Sequence, residues 1–216
     1  MTQKERQARS KHMILQAAMK EFGNYNYEDV TMEKICSRHR ISKGMMYHYY
    51  ENKDALFLEC AREVFDQLKA YIARDAETIT DQDALVRTRN YFLIREYYFN
   101  LYPMQKNIFE NAVFRAPKHL KSAIWELRRP IREMNRQFLW QTILKLQLRP
   151  NIQQAVAARY IESIEHVFWE LLDQFNTKNQ LSDLHEVSIV GKQLLDMVFF
   201  GIVRQPYETE RSQTDA

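Results

Sequence analysis

Four glycines in 216 residues, with five prolines set far apart, constrain this chain more than any other feature. Sheets and phosphate-binding loops need glycine for tight turns, so a chain this poor in it is neither β-rich nor Rossmann-like. The expected fold class is all-α. A chain that is 45% hydrophobic and 12% aromatic has ample material for the core of one large domain or two small ones, which excludes a disordered protein. No apolar run in the sequence approaches the roughly 18 residues that a membrane span requires, so no membrane contact is expected. Two cysteines, Cys36 and Cys60, with no leader pattern ahead of them, fit a reducing cytoplasm and inert packing.

The net charge of +3 is too small to name a partner, so its distribution carries the argument. Residues 1–50 hold nine Lys or Arg against five acids, a modestly basic end that suits nucleic acid. Along that end, Ile14, Ala17, Ala18 and Phe22 recur at three- and four-residue steps and mark one face of a first helix from Lys11 onward. Gly23 to Tyr27 break it. Thr31 is the expected N-cap of a short second helix with Ile35 and Cys36 inward; Ser42 caps a third through Tyr49 or Tyr50, and Asn52 caps a fourth with Phe57, Cys60, Val64 and Leu68 buried.

The third of these helices lies in the stretch ISKGMMYHYYENKDAL, Ile41 to Leu56. On a helical wheel Met46 and Tyr50 fall together, while Gly44 and His48 lie opposite, flanked by Lys43 with Tyr47 and by Met45 with Tyr49. One side is a plug and the other a display. Two short helices joined by a four-residue turn, behind a longer helix, form the helix-turn-helix arrangement whose second helix enters the major groove of DNA.

Residues 14–58 carry the landmarks I-x-x-A-A-x-x-x-F, Y-E-x-x-T, an Ile, S-K-G-x-x-Y-x-Y and K-x-x-L in order, and this combination resembles the N-terminal domain of the TetR family of bacterial transcriptional repressors. The resemblance implies that Lys43, Gly44, Tyr47 and His48 face the groove, that Tyr49 and Lys53 contact phosphates, and that Thr31 with the amides after it adds another contact. Lys4, Arg6, Arg9 and Lys11 are then either an arm along the DNA or a solvated, frayed terminus. Three positions depart from the family. Arg40 stands where the turn usually has glycine; Asn26 replaces another glycine and would tolerate a left-handed backbone; Met45 replaces a small hydroxylated residue and loses a hydrogen bond to DNA.

The expected organisation is an arm and helix-turn-helix domain over 1–52, a connecting helix over 53–74, a helical ligand-binding and dimerisation domain over 75–203, and a loose tail over 204–216. Proline is absent between Pro150 and Pro206, which leaves room for two uninterrupted helices. Leu184, Val187, Gly191, Leu194, Val198 and Ile202 form a stripe on the last; Ala155, Ala158, Ile161, Glu165, Phe168 and Leu172 form one on the helix before it. In the family these two helices pair with their copies, so Ile161, Phe168, Val187, Gly191, Leu194 and Val198 are expected at a homodimer interface, unless both stripes serve only the internal core.

The segment 91–140 is unusually aromatic, and a cavity for a small lipophilic ligand is expected among Tyr91, Tyr98, Tyr102, Phe109, Trp125 and Phe138. Two ligand charges stay open. Glu96, Glu110 or Glu165 suits a cation. The row Arg128, Arg132 and Arg136 suits an anionic amphiphile, or else is a solvated face exchanging ion pairs with Glu162 or Glu170. Glu162 and His166 sit at a spacing metals use but lack a third ligand, so no metal or cofactor is expected.

No nucleophile, base and orienting partner come together in the sequence, and no phosphate loop occurs, so an enzyme is not expected. The expected function is a ligand-responsive homodimeric regulator, a repressor released from a palindromic double-stranded DNA operator by its effector. The alternative is an all-helical ligand-binding or protein-interaction adaptor that has lost DNA affinity.

Overall fold

The computed structural model describes residues 2–80, 83–160, 163, 167 and 184–202 of the chain. Most of these residues are helical, with no β-strand among them, as the shortage of glycine predicts. In chain order they are α1 (Gln3–Asn24), α2 (Met32–His39), α3 (Lys43–Tyr49), α4 (Lys53–Ala76), α5 (Ala84–Leu101), α6 (Pro103–Val113), α7 (Lys121–Leu127), α8 (Arg129–Ile143) and α9 (Leu184–Ile202). Residues 154–160 are also helical. Two 3-10 turns, Tyr27–Asp29 and Lys118–Leu120, join α1 to α2 and α6 to α7. The prolines act as the helix rules predict: Pro103 opens α6, where its missing N–H costs no intrahelical bond.

The first helix starts at Gln3, eight residues before the periodicity suggests. Thr2 and Glu5 form a capping box, in which each side chain accepts from the other's backbone N–H at 2.8 and 3.2 Å. The basic arm is therefore helical, not extended. The other expected caps are in place: Thr31 accepts from Lys34 N at 3.1 Å, Ser42 from Met45 N at 3.1 Å, and Asn52 from Ala55 N at 2.8 Å.

The described residues fall into two compact units. The first takes the described residues within 2–71 and 97–130, and the second those within 72–96 and 131–202. In the first, Ile14, Ala18, Phe22, Ile35, Met46, Phe57, Cys60, Val64 and Leu68 are all buried, as their spacing predicts. The rings of Phe22 and Tyr27 each lie 4.9 Å from Phe57. Helix α6 packs along α1, and the two backbones come so close that a Cβ on Gly23 would stand 2.8 Å from Met104 Cβ. In the second unit, Tyr91, Ile94, Ile143 and Ala157 are buried, with Leu139, Leu148 and Ile152 packed around Ile143.

Both cysteines are free and buried. Burial pushes both thiols above their ordinary range, which makes them poor nucleophiles. No described helix is long and apolar enough to cross a membrane. The expected tail beyond Arg204 lies outside the described residues.

Candidate nucleic-acid interface

Helix α2 ends on Arg40, whose φ of 55° and ψ of 38° are left-handed. The next amide, of Ile41, donates back to Cys36 O at 3.0 Å and closes the helix end. This is the position where a glycine was expected, so the backbone keeps its turn and arginine carries the strain. Asn26 behaves otherwise: its φ of −66° and ψ of 154° are extended, so the expected left-handed backbone is not there. The side chain accepts from Arg115 Nη1 at 3.1 Å.

Ile41, Met46 and Tyr50 are buried and fasten α3 to the core. Lys43, Gly44, Tyr47 and His48 are exposed together on its other side, while Met45 and Tyr49 are half-buried flanks. An added Cβ on Gly44 would meet nothing within 4 Å, so the backbone there lies open to a partner. Tyr47 OH reaches Glu33 Oε1 of α2 at 3.4 Å, and the His48 ring meets that of Tyr49 edge-on at 4.8 Å. These contacts restrict the displayed side chains before any partner arrives.

Lys53 opens α4. Its Nζ donates to Tyr27 O at 3.0 Å and stands 3.9 Å from the centre of the Tyr27 ring. The Tyr27 hydroxyl donates to Asp54 Oδ1, and His119 Nε2 lies 2.7 Å from Asp54 Oδ2. Burial and the bond to Asp54 push the Tyr27 phenol well above its ordinary range, so it stays a donor. Thr31, half-buried, uses its hydroxyl on the Lys34 amide.

Two polar clusters were not legible in the sequence. Glu21, buried on α1, binds Arg38 at 2.7 Å and His39 at 2.9 Å, which pins the end of α2. Asn111 of α6 donates to the carbonyls of Phe22 and Tyr25 at 3.3 and 3.1 Å; Asn107 donates to Phe22 O at 3.2 Å. Those carbonyls end α1 and lack intrahelical donors, so α6 caps α1 from outside. Only the crowding of Asn and Arg at 107, 111 and 115, at four-residue spacing, hinted at such a clamp.

Residues 14–60 match the model of bacterial regulatory proteins, tetR family. The chain carries a TetR-family N-terminal domain. Two curated relatives share this region. The HTH-type transcriptional repressor Rv1474c of Mycobacterium tuberculosis is 31% identical over 68 residues, 32% of this chain and 36% of that protein. The HTH-type transcriptional repressor AcnR of Corynebacterium jeikeium is 34% identical over 83 residues, 38% of this chain and 43% of that one. The chain thus aligns with less than half the length of these relatives. The structure of the regulator FadR from Bacillus subtilis in complex with stearoyl-CoA has a TM-score of 0.58 at 14% identity, over 87% of this chain and 97% of that one. At this identity the likeness is one of fold.

Beyond the TetR-family domain, the expected ligand residues divide between the two units. In the first, Tyr98 packs on Phe99 at 5.1 Å and on Tyr102 at 4.9 Å, and Phe99 meets Phe109 at 4.9 Å. Trp125 is half-buried there. In the second, Tyr91 stacks on Phe138 at 3.7 Å. Of the expected row of arginines, Arg128 is the single turn residue between α7 and α8 and is buried, while Arg132 is half-buried and Arg136 exposed on α8. Arg136 pairs with Glu133 at 2.6 Å on its own helix; Glu162 and Glu170, the other expected partners of the row, lie outside the described residues. Glu110 is already matched by Arg115 at 3.1 Å and Lys106 at 3.7 Å, so it is not a free counter-charge for a cation. Glu96 is 3.8 Å from Lys192.

Of the residues expected at a dimer interface, Gly191 and Leu194 are half-buried within one chain. The side chains of Val187 and Val198, together with Ile161 and Phe168, lie outside the described residues, as do Glu162, Glu165 and His166. On the opposite flank of α9, Ile189, Met197 and Phe200 are 44%, 60% and 65% exposed, an apolar surface that the stripe read from the sequence left out.

Proposed function

We propose that this chain is a homodimeric DNA-binding transcriptional regulator, a repressor that leaves a palindromic operator when a small lipophilic effector binds. The observation that carries the reading is α3 itself: Met46 and Tyr50 are buried beneath it, and Lys43, Gly44, Tyr47 and His48 stand exposed together on a matched TetR-family domain. A helix so fastened presents base-reading side chains with little freedom left to lose.

In this reading residues 1–52 bind DNA, 53–74 connect, and 75–203 hold the effector and pair the protomers. Tyr49, Lys53 and Thr31 hold phosphates beside the groove. Lys53 is positioned for that exchange because its present acceptor is a neutral carbonyl, which a phosphate outcompetes. The similarity to the repressors Rv1474c and AcnR supports repression, and the stearoyl-CoA of the FadR structure supports a lipophilic effector. One short reading helix per protomer covers few base pairs, so a dimer on a two-fold operator supplies the specificity.

The test is an electrophoretic mobility shift with the DNA that flanks the gene. A retarded band that survives competitor DNA and weakens steeply with added salt is expected. No retardation at micromolar protein and low salt overturns the reading in favour of a non-DNA-binding adaptor.

A further inference from the structure

In the second unit, two arginines face aromatic rings with no acid among the described residues to neutralise them. Arg87, Tyr91 and Arg95 follow one another at four-residue steps and share a face of α5. The Arg95 guanidinium lies 4.8 Å from the centre of the Tyr91 ring and 4.7 Å from that of Phe92. Its Nη1 donates to Tyr91 O at 2.8 Å and its Nη2 to Asn135 Oδ1 at 2.5 Å. The Arg87 guanidinium stands 5.6 Å from the Phe138 ring that stacks on Tyr91. Among the described residues no carboxylate lies within ion-pair reach of either group. The other arginine of the helix, Arg89, pairs with Asp196 at 2.5 Å, and the buried Oε2 of Glu96, without a hydrogen-bond partner, lies 3.8 Å from Lys192 Nζ.

An arginine taken out of water ordinarily finds a carboxylate or phosphate, because ring faces and neutral acceptors replace only part of its hydration. Enclosure of Arg95 is deep enough that desolvation lowers its pKa. Two of its five N–H groups are used, which leaves three for an oxyanion. Asn135 points the same way. Its Oδ1 accepts from both Arg95 and the Tyr91 hydroxyl, at 3.0 Å, so its Nδ2 has no described partner and remains to donate. Positive charge, unused donors and apolar rings therefore meet between α5 and α8.

We propose that Arg87 and Arg95 of α5, with Asn135 of α8, hold the anionic head group of a lipophilic effector, a carboxylate or a phosphate monoester whose tail lies against the half-buried rings of Phe92 and Phe138. The assignment rests on the reading of this chain as an effector-controlled regulator and names the chemistry of that effector. It selects the anionic alternative over the cationic one.

Isothermal titration calorimetry on the full chain tests it with four twelve-carbon probes kept below their micelle concentrations: dodecanoate, dodecyl phosphate, dodecanol and dodecyltrimethylammonium. Dodecanoate or dodecyl phosphate binds more tightly than dodecanol, and the trimethylammonium probe binds weakest; whichever anion is tighter identifies the head group. Arg95→Met keeps an unbranched stem on the rings and removes the charge. It lowers affinity for the preferred anion by about tenfold or more while the melting temperature of the unliganded protein holds or rises. Arg87→Gln lowers it several-fold and serves where Arg95→Met does not fold. The proposal is overturned if neither anion binds, if dodecanol binds as tightly as both, or if both variants keep wild-type affinity. Mobility shifts without any probe report on the regulator reading separately, so anion binding without DNA binding would retain this site and remove that function.

Discussion

His119 Nε2, in the 3-10 turn ahead of α7, lies 2.7 Å from Asp54 Oδ2 in the first turn of α4. The same carboxylate accepts the hydroxyl of Tyr27, whose carbonyl accepts from Lys53. A residue far along the chain is thus tied, through one carboxylate, to the turn that precedes the helix-turn-helix. All four residues belong to the first compact unit.

Acid should loosen this tie. Desolvation works against an ionised Asp54, but the hydrogen bonds from Tyr27 and His119 outweigh it and hold the carboxyl below its ordinary range. A carboxylate with a lowered folded pKa contributes stability that is complete above its unfolded pKa of about 3.9 and is lost as pH falls through the folded value. Asp54→Asn should therefore lower the melting temperature at neutral pH and make the acid-side loss shallower. Thermal melts at a series of pH values between about 7 and 3 measure both.

Arg40 offers the opposite experiment. Its left-handed backbone costs an L-residue about 1–2 kcal/mol, partly offset because glycine has more freedom to lose on folding. Arg40→Gly should stabilise the protein by about 0.5–1 kcal/mol in urea titrations. An equal or lower stability would mean that the arginine side chain contributes more than the turn costs.

Two glycines should respond in opposite ways to the same change. Gly44→Ala meets open space and fills an exposed helical position, so stability should rise by up to about 1 kcal/mol. Operator affinity should nevertheless fall, because the added methyl keeps the backbone away from DNA. Gly23→Ala drives its methyl into Met104 on α6 and should cost about 1–3 kcal/mol. Melting curves and mobility shifts on the two variants separate a contact surface from a packing seam.

Tyr47→Ala and His48→Ala should each cost about 1–3 kcal/mol at the operator and relax preference at particular bases. Lys53→Ala should instead weaken all DNA alike and reduce the salt slope by about one unit. Titrations against mutated operators over a range of salt distinguish the two classes. If all three behave alike, α3 does not enter the groove in the orientation proposed.

The two flanks of α9 make separable predictions about assembly. If the protomers meet through the exposed flank, Met197→Asp should yield monomers in sedimentation at micromolar concentration with little change in melting temperature. If they meet through the flank bearing Gly191, the monomers should appear in Gly191→Arg instead.

Local chemistry in this chain is written locally, and it was legible. The caps at Thr31, Ser42 and Asn52, the buried spacing of Phe57, Cys60, Val64 and Leu68, and the split of α3 into plug and display all follow from residues a few helical turns apart at most. The landmarks from Ile14 to Leu56 lie in one continuous stretch, so the family resemblance could be read as well. The helical start at Gln3 was also local, yet a capping box beneath a polar face leaves no hydrophobic period to detect.

Contacts between distant segments needed the folded chain. Periodicity reports which face of a helix is buried, but not which carbonyl or carboxylate waits on the other side. Glu21 meets Arg38 and His39 because α2 folds back on α1; Asn111 reaches the end of α1, and His119 finds Asp54, because α6 and the turn after it come back against the first helices. Spacing likewise put Arg128, Arg132 and Arg136 on one continuous helix, whereas α7 ends at Leu127 and α8 begins at Arg129. Charge count could not choose between a cationic and an anionic effector, because what matters is which charges remain after pairing. Glu110 is consumed by Arg115, whereas Arg95 is left facing two rings and an amide, and that difference is set by the placement of side chains in space.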